Sequence, residues 1–342
     1  MNTNELFFRC VRGFLTIHLP LHQCKSENTI KSYRDALNLL RNFMELKKKI
    51  PFAKLSFDDF SMKMMLEFLD WLESERKCSI STRNQRLAAL NSFFRYSAET
   101  EPSLVAVYLE IKKVPIKKGQ KRKINSLSKN ALQEILLQPD LSKKTGIRNQ
   151  CFMVTLYDTG GRIQETLDLQ MKDLVLNTEN PYVYIHGKGN KVRMVPLMSK
   201  TVEHLKKYVS IFHDTNENSR DNYLFYTTIK GRKEKMSQEN VAKFLNKYSQ
   251  TAHAKCAEVP LKIHAHLFRH TKAMDLYRSG IPISYIKDFL GHESLDTTSI
   301  YAEADLEMMR SALEKVNVNG VSVEKPVWEN NEEIILRLCG LK

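Results

Sequence analysis

Between Lys112 and Lys123 the chain carries Lys112, Lys113, Lys117, Lys118, Lys121, Arg122 and Lys123, with no acidic residue, one proline and one glycine. A run of like charges broken by Pro115 and Gly119 repels itself and offers too little apolar surface to build a core. It therefore divides the 342 residues in two. A chain of this length also exceeds the roughly 250–300 residues at which single cores stop growing. The expected organisation is a helical domain over residues 1–111, a basic linker over 112–125, a second domain over 126–318 and a tail over 319–342. Charge follows the same division. Residues 1–125 hold 23 Lys and Arg against 13 Asp and Glu, a net charge of +10, and the short run supplies +7 of it. The whole chain stands at +14. A nucleic acid is the partner such a charge suits, because Lys and Arg displace the counterions condensed on phosphates. A solvated tether is the plainer reading of the run, but seven cations on one path fit an arm that follows DNA better.

Hydrophobic spacing makes the first part helical. Ile30, Tyr33, Leu37, Leu40 and Phe43 recur at three- and four-residue steps across Thr29–Met44, the stripe of an amphipathic helix. A second helix is expected over Ser61–Glu75, with Met64, Phe68 and Trp71 on one face. A third is expected to start after Ser81, turning Leu87, Leu90 and Phe94 inward. Its arginines, Arg83, Arg86 and Arg95, fall elsewhere on the helix, where they suit either solvent or a DNA backbone. Beyond Ser126 helices are expected at Leu132–Leu137, Asn149–Tyr157, Arg162–Leu169, Lys200–Phe212, Ser237–His253, Leu267–Ser279, Ile283–Leu290 and Leu306–Val316. They are interrupted by two β-rich runs, Tyr182–Gly187 and Lys191–Pro196, about a Gly187-Lys-Gly-Asn turn, a hairpin signal. The segment Glu329–Leu341 carries Ile334, Ile335 and Leu338 at helical spacing. The fold class is mainly α with a small antiparallel β-sheet.

Several function classes drop out. The six cysteines are scattered without a CxxC pair, which argues against a zinc ribbon, and nothing suggests an oxidising compartment. Arg9 and Arg12 interrupt the N-terminal apolar run, so it does not read as a secretory signal. No apolar stretch approaches the roughly 18 residues of a membrane helix. A cytoplasmic chain with no membrane partner is expected. His266 and His270 stand at the i, i+4 spacing of zinc proteases, but Leu267 occupies the place of their glutamate base, so no metal site is expected.

Four segments carry chemistry of another kind: Tyr157-Asp-Thr-Gly-Gly-Arg-Ile-Gln-Glu-Thr-Leu-Asp-Leu, His186-Gly-Lys-Gly-Asn-Lys-Val-Arg-Met-Val-Pro-Leu, His266-Leu-Phe-Arg-His-Thr, and Leu290-Gly-His-Glu-Ser-Leu-Asp-Thr-Thr-Ser-Ile-Tyr. Breaking a phosphodiester without a metal needs cations to neutralise the phosphorane, a nucleophile, and an acid for the leaving oxygen. Arginine suits the first task, since its planar fork holds two phosphate oxygens and stays charged. Any one of these residues alone would be a salt-bridge, turn or packing residue. In order and spacing, residues 145–303 resemble the tyrosine recombinase (phage integrase) family. The preceding helical region is similar, more loosely, to that family's SAM-like core-binding domain.

The resemblance implies a two-domain, C-shaped clamp on double-stranded DNA, acting as a homotetramer on two sites with no metal and no nucleotide cofactor. It implies that Arg162 and Arg269 clamp the scissile phosphate, with Glu165 holding the first arginine's helix. Lys188 at the hairpin tip would protonate the leaving 5′ oxygen. His266 would bond the phosphate or take the proton of the tyrosine, His292 would bond a non-bridging oxygen, and Tyr301 would attack to give a 3′-phosphotyrosine, on the way to a Holliday junction. His270 is expected to be a supporting, structural residue. Gly161 departs from the Leu or Ala common in the family. Arg83, Arg86, Arg95, Lys117, Lys118, Lys121, Arg122 and Lys123 are the expected DNA contacts. The near-immediate start of the helical domain resembles the Xer-like and transposon-encoded members, which lack an arm-binding domain. The tail fits the family's habit of docking a C-terminal helix into a neighbouring subunit, with folding back on its own domain as the alternative. A type IB topoisomerase and a non-catalytic DNA-binding regulator remain as rival functions. The DNA site and any accessory protein are not encoded visibly.

Overall fold

The computed structural model describes residues 3–119, 125–187, 189, 191–213, 220–295, 297–298, 301 and 331–341. Lys121, Arg122, Lys123, Lys188 and the helix expected at Leu306–Val316 lie outside the described residues. The chain separates into two compact units, Met1–Arg122 and Lys123–Lys342.

The first unit is helical. Helices α1 (Thr3–Gly13), α2 (Glu27–Lys48), α3 (Met62–Ser74), α4 (Ile80–Thr100) and α5 (Val105–Lys112) enclose an aromatic core that includes Phe14, Phe68, Phe93 and Phe94. Serines set the starts of three of them, each accepting a hydrogen bond from a backbone N–H of the first turn. Ser26 accepts from Thr29, Ser61 from Met64 and Ser79 from Thr82. The α4 cap is thus Ser79, two residues before the serine that the sequence suggested. A π-helical turn, Phe14–His22, continues α1 and accommodates Pro20.

One expectation about DNA contact is corrected in this unit. Arg83 is only 1% exposed, and its guanidinium donates to Pro115 O at 2.9 Å and lies 3.4 Å from Glu73. Because it faces inward from α4, it anchors the chain leaving α5 and does not present a cation to solvent. The basic run is also not free along its whole length. Val114 is buried in the core, Asn84 exchanges two hydrogen bonds with the Lys117 backbone, and Lys117 Nζ lies 2.8 Å from Glu73.

The second unit contains α6 (Lys129–Leu136), α7 (Lys144–Thr159), α8 (Ile163–Leu167), α9 (Ser199–Phe212), α10 (Gln238–His253), α11 (Ala265–Arg278), α12 (Ile283–Leu290) and α13 (Glu332–Leu338). An antiparallel sheet runs β1 (Leu174–Val175), β2 (Tyr182–His186), β3 (Val192–Pro196), with Val183 opposite Val195 and His186 opposite Val192. A second hairpin, β4 (Tyr226–Ile229) with β5 (Arg232–Lys235), went unseen in the sequence, because its strands read Thr-Thr-Ile and Arg-Lys-Glu-Lys without apolar alternation. Its turn residues Lys230 and Gly231 both have positive φ, 48° and 78°, the backbone a two-residue type I′ turn needs. The core of this unit joins α7, β2, β3, α9, α10 and the start of α11 through residues such as Phe152, Ile185, Leu205, Leu245 and Phe268. Among the described residues no helix is long and apolar enough to cross a membrane.

Candidate active site

Helix α7 ends because Gly160 takes the left-handed conformation at φ 56°. A β-carbon there would stand 2.9 Å from Leu290 and 3.0 Å from the Phe289 ring, so glycine lets the turn lie against the end of α12. At Gly161 a β-carbon would stand 2.8 Å from Thr166 Oγ1, which gives this departure from the family a local reason. The turn delivers Arg162 to the N-cap of α8. Its backbone N–H donates to Glu165 Oε2 at 3.0 Å and its Nη1 to Glu165 Oε1 at 2.6 Å. Its Nη2 donates to Gly291 O at 3.3 Å, and 43% of the side chain stays exposed.

Arg269, on the first turns of α11, is 1% exposed. Its Nη1 donates to Gly160 O at 2.7 Å and its Nη2 to Leu290 O at 2.8 Å, so the ends of α7 and α12 both meet the guanidinium. Its Nε has no hydrogen-bond partner among the described residues. Burial, with Arg162 alongside, pulls its pKa down to about 10, so it remains a cation at neutral pH. Glycine recurs at Gly291, the left-handed cap of α12, where a β-carbon would meet the Arg193 guanidinium at 2.9 Å. The cap carries His292, whose Nδ1 lies 2.8 Å from Thr298 Oγ1.

Tyr301 is 1% exposed and shares an apolar cluster with Ala273, Met274, Ile286 and Leu290. Burial raises the pKa of its hydroxyl, and Arg269 opposes that rise. The hydroxyl lies 2.8 Å from His270 Nδ1. Burial and the neighbouring cations hold the three histidines neutral: His270 and His292 fall to about 4, and His266 is lowered as well. Arg162, Arg193, His266, Arg269, His292 and Tyr301 line one cavity of about 990 Å³. Three arginines on one concave wall, beside neutral hydrogen-bonding rings and a phenol, have the chemistry to receive a phosphate group. Among the described residues no group of three His, Cys, Asp or Glu side chains is placed to hold a metal ion.

Residues 125–308 match the phage integrase family, and residues 18–103 match the N-terminal SAM-like domain of phage integrases. The chain belongs to the phage integrase family, the tyrosine recombinases. A protein of Sinorhizobium fredii described as an integrase/recombinase, y4rC, is 33% identical over 308 residues, covering 90% of each chain. The tyrosine recombinase XerC of Bacillus pumilus is 26% identical over 294 residues, covering 86% of this chain and 91% of its own. The XerH site-specific recombinase, solved bound to a palindromic difH substrate after cleavage, shares the fold. Its TM-score is 0.65 at 23% identity, over 92% of this chain and 90% of that one. These relatives support site-specific recombination over DNA relaxation and over a non-catalytic regulatory role.

Of the residues expected from the sequence, Arg162, Glu165, His266, Arg269, His270, His292 and Tyr301 are thus brought to one place in this recombinase. In the helical unit, Arg86 is half-buried and donates to Ser32 O at 3.1 Å, while Arg95 is exposed beside Glu99. Lys118 is exposed as well. Arg193 was missed. It is 14% exposed, its Nη2 donates to Glu165 Oε2 at 2.7 Å and its Nε to Phe289 O at 3.1 Å. One guanidinium therefore fastens the hairpin to α8 and to the end of α12. Its signal in the sequence is inverted. On β3 the apolar Val192 and Met194 face outward, 53% and 62% exposed, and Arg193 shares the inward face with Val195.

Proposed function

We propose that this recombinase cuts and rejoins DNA through Tyr301, with Arg162 and Arg269 clamping the scissile phosphate. The observation that carries the reading is the single cavity lined by both arginines, His266, His292 and Tyr301. Attack by the Tyr301 oxygen on phosphorus would expel the 5′ oxygen and leave a 3′-phosphotyrosine. That intermediate keeps the bond energy, so a 5′ hydroxyl from another strand reverses the step without a nucleotide cofactor. By likeness to the family, Lys188 would protonate the leaving oxygen, and two rounds of exchange would pass through a Holliday junction. Glu165 holds Arg162 in place, and His292 is suited to donate to a non-bridging oxygen.

The division of labour we propose assigns residues 1–111 to holding DNA, 112–125 to a basic linker, 126–318 to catalysis and 319–342 to assembly, inside the cell where the DNA lies. A homotetramer on two sites is the assembly we propose. Its support is the tail, where Ile335 and Leu338 of helix α13 and Leu341 beyond it are exposed within the single chain and suit a neighbouring subunit. The test is covalent capture. A duplex selected from a random pool for binding, then nicked beside the cleavage position, traps the adduct because the short leaving strand diffuses away. The full chain should form an SDS-resistant adduct and Tyr301→Phe should form none while still binding. An adduct from the Phe variant would refute the assignment.

A further inference from the structure

Where the proton of the attacking hydroxyl goes is unanswered by the arginines, which only donate. Two histidines are near enough to matter. His266 and His270 lie one turn apart on α11, with ring centroids 4.3 Å apart. Of the two, His270 is the one in hydrogen-bond contact with the nucleophile, its Nδ1 at 2.8 Å from the Tyr301 hydroxyl. Both residues line the same cavity as the clamping arginines. We infer that His270, and not His266, takes the proton of Tyr301 as its oxygen attacks the scissile phosphate. This inference rests on the recombinase reading.

Taking the proton requires the tautomer in which Nδ1 is bare and Nε2 carries the ring hydrogen, so that the phenol donates its one O–H across the 2.8 Å contact. The surroundings keep His270 in that form before DNA arrives. Burial disfavours a second proton most, and His266, His264 at the helix N-cap and Arg269 add to it, so the ring is neutral at pH 7. Arg162, Arg193, Lys191 and Lys287 bring further positive charge to the cavity wall, with Asp288, Glu293 and neutral His292 beside them. A bound phosphodiester changes that balance. It brings a negative charge against the arginines, and the phosphorane brings a second, so the cost of an imidazolium at His270 falls as the reaction proceeds. In the step itself the Tyr301 Oη–phosphorus bond forms and the phosphorus–5′ oxygen bond breaks. The phenolic proton moves to His270 Nδ1, and the 5′ oxygen takes a proton from a separate acid, Lys188 by family likeness. Rejoining returns the proton from His270 to Tyr301.

The experiment measures the single-turnover rate of covalent adduct formation by the full chain on the nicked duplex, from pH 5 to pH 10. It is run with oxygen and with sulfur at the bridging 5′ position. A thiolate leaves without help from an acid, so the sulfur substrate isolates the base. His270→Ala should be slower by about 10² on both substrates at pH 7, the scale of losing a general base. Its rate should then climb with pH as the phenol ionises unaided. His270→Asn, which can accept the hydrogen bond but not the proton, should stay slow. His266→Ala should keep its rise with pH parallel to wild type. Melting curves confirm that each variant is folded, with His270→Gln replacing a His270 variant that is not and His266→Gln replacing His266→Ala. A His270→Ala rate within threefold of wild type overturns the inference. So does full activity in His270→Asn, which would make the histidine a holder only, or recovery on sulfur alone, which would move it to the leaving group. A wild-type chain that forms no adduct overturns the recombinase reading and this inference with it.

Discussion

Replacing Arg193 with methionine keeps the unbranched apolar stem and deletes the guanidinium with its charge. Two hydrogen bonds disappear, one of 2.7 Å to Glu165 Oε2 and one of 3.1 Å to Phe289 O. Both donors belong to the charged guanidinium, and a hydrogen bond to a charged group contributes at most about 1.5–3 kcal/mol. Glu165, 6% exposed, keeps Arg162 as a partner through both the backbone N–H and Nη1. The full 3–5 kcal/mol of an orphaned buried charge, roughly, is therefore not reached, and about 2–4 kcal/mol is the expected loss. For a unit of this size each kcal/mol moves Tm by about 2–4 °C, so the transition of the catalytic unit should fall by about 5–15 °C. Acid sensitivity should change with it. Burial pushes the Glu165 carboxyl up, but the hydrogen bonds from Arg193 and Arg162 outweigh it and hold the folded pKa below the ordinary value. Such a group stabilises the fold above its unfolded pKa and loses that contribution as pH falls through the lowered folded value. Without Arg193 the loss should begin at higher pH. Circular dichroism melts of wild type, Arg193→Met and Arg193→Lys between pH 3 and pH 8 measure both effects. A Tm within about 2 °C of wild type at pH 7, set against this scale, would refute the assignment of Arg193 as the tie between hairpin, α8 and α12.

Arg269→Ala should slow adduct formation by about 10²-fold or more, the scale of losing a donor to developing charge, while EDTA should leave the wild-type rate unchanged because arginines supply the neutralising charge; arrest by chelation would count against this. Gly160→Ala should destabilise the catalytic unit by about 1–3 kcal/mol, since it combines a left-handed backbone with a crowded β-carbon, and an unchanged melting temperature would contradict the packing described. Changing Lys117, Lys118, Lys121, Arg122 and Lys123 to Gln should weaken specific and random DNA binding alike and lower the slope of log affinity against log salt by about 0.9 for each phosphate no longer neutralised. Lys117, already beside Glu73, should contribute least, and equal slopes would show the run to be a solvated tether. Deleting residues 329–342 should reduce cooperative pairing of protomers on two half-sites in gel shifts more than binding to one, whereas a lower melting temperature with intact cooperativity would place α13 on its own chain.

How far the sequence reaches depends on the kind of signal. Helices with an apolar stripe and a serine cap, such as α3, were legible to within a residue, because period and cap agree. The candidate set was named from the spacing of four segments, and the fold places Arg162, Arg269, His292 and Tyr301 around one cavity. Arg83 was misread because an arginine on a polar-looking helix turn gives no sign that a distant carbonyl, Pro115 O, will bury it. Arg193 was passed over because its strand turns apolar side chains outward, against the usual alternation. The role of His270 depends on where a chain segment 31 residues away places a hydroxyl, and spacing alone does not contain that distance.

The acceptors that fix Arg269 are main-chain oxygens, one at the left-handed cap of α7 and one at the last residue of α12. Mutation alters side chains and leaves peptide carbonyls in place. This buried cation is therefore aimed by parts of the protein that substitution cannot delete, and the partial negative charge at two helix ends offsets its burial. As long as the two helices keep their lengths and their glycine caps, the residues around the guanidinium are free to drift. A recombinase built this way can diverge widely over its surface while that buried charge stays where it is.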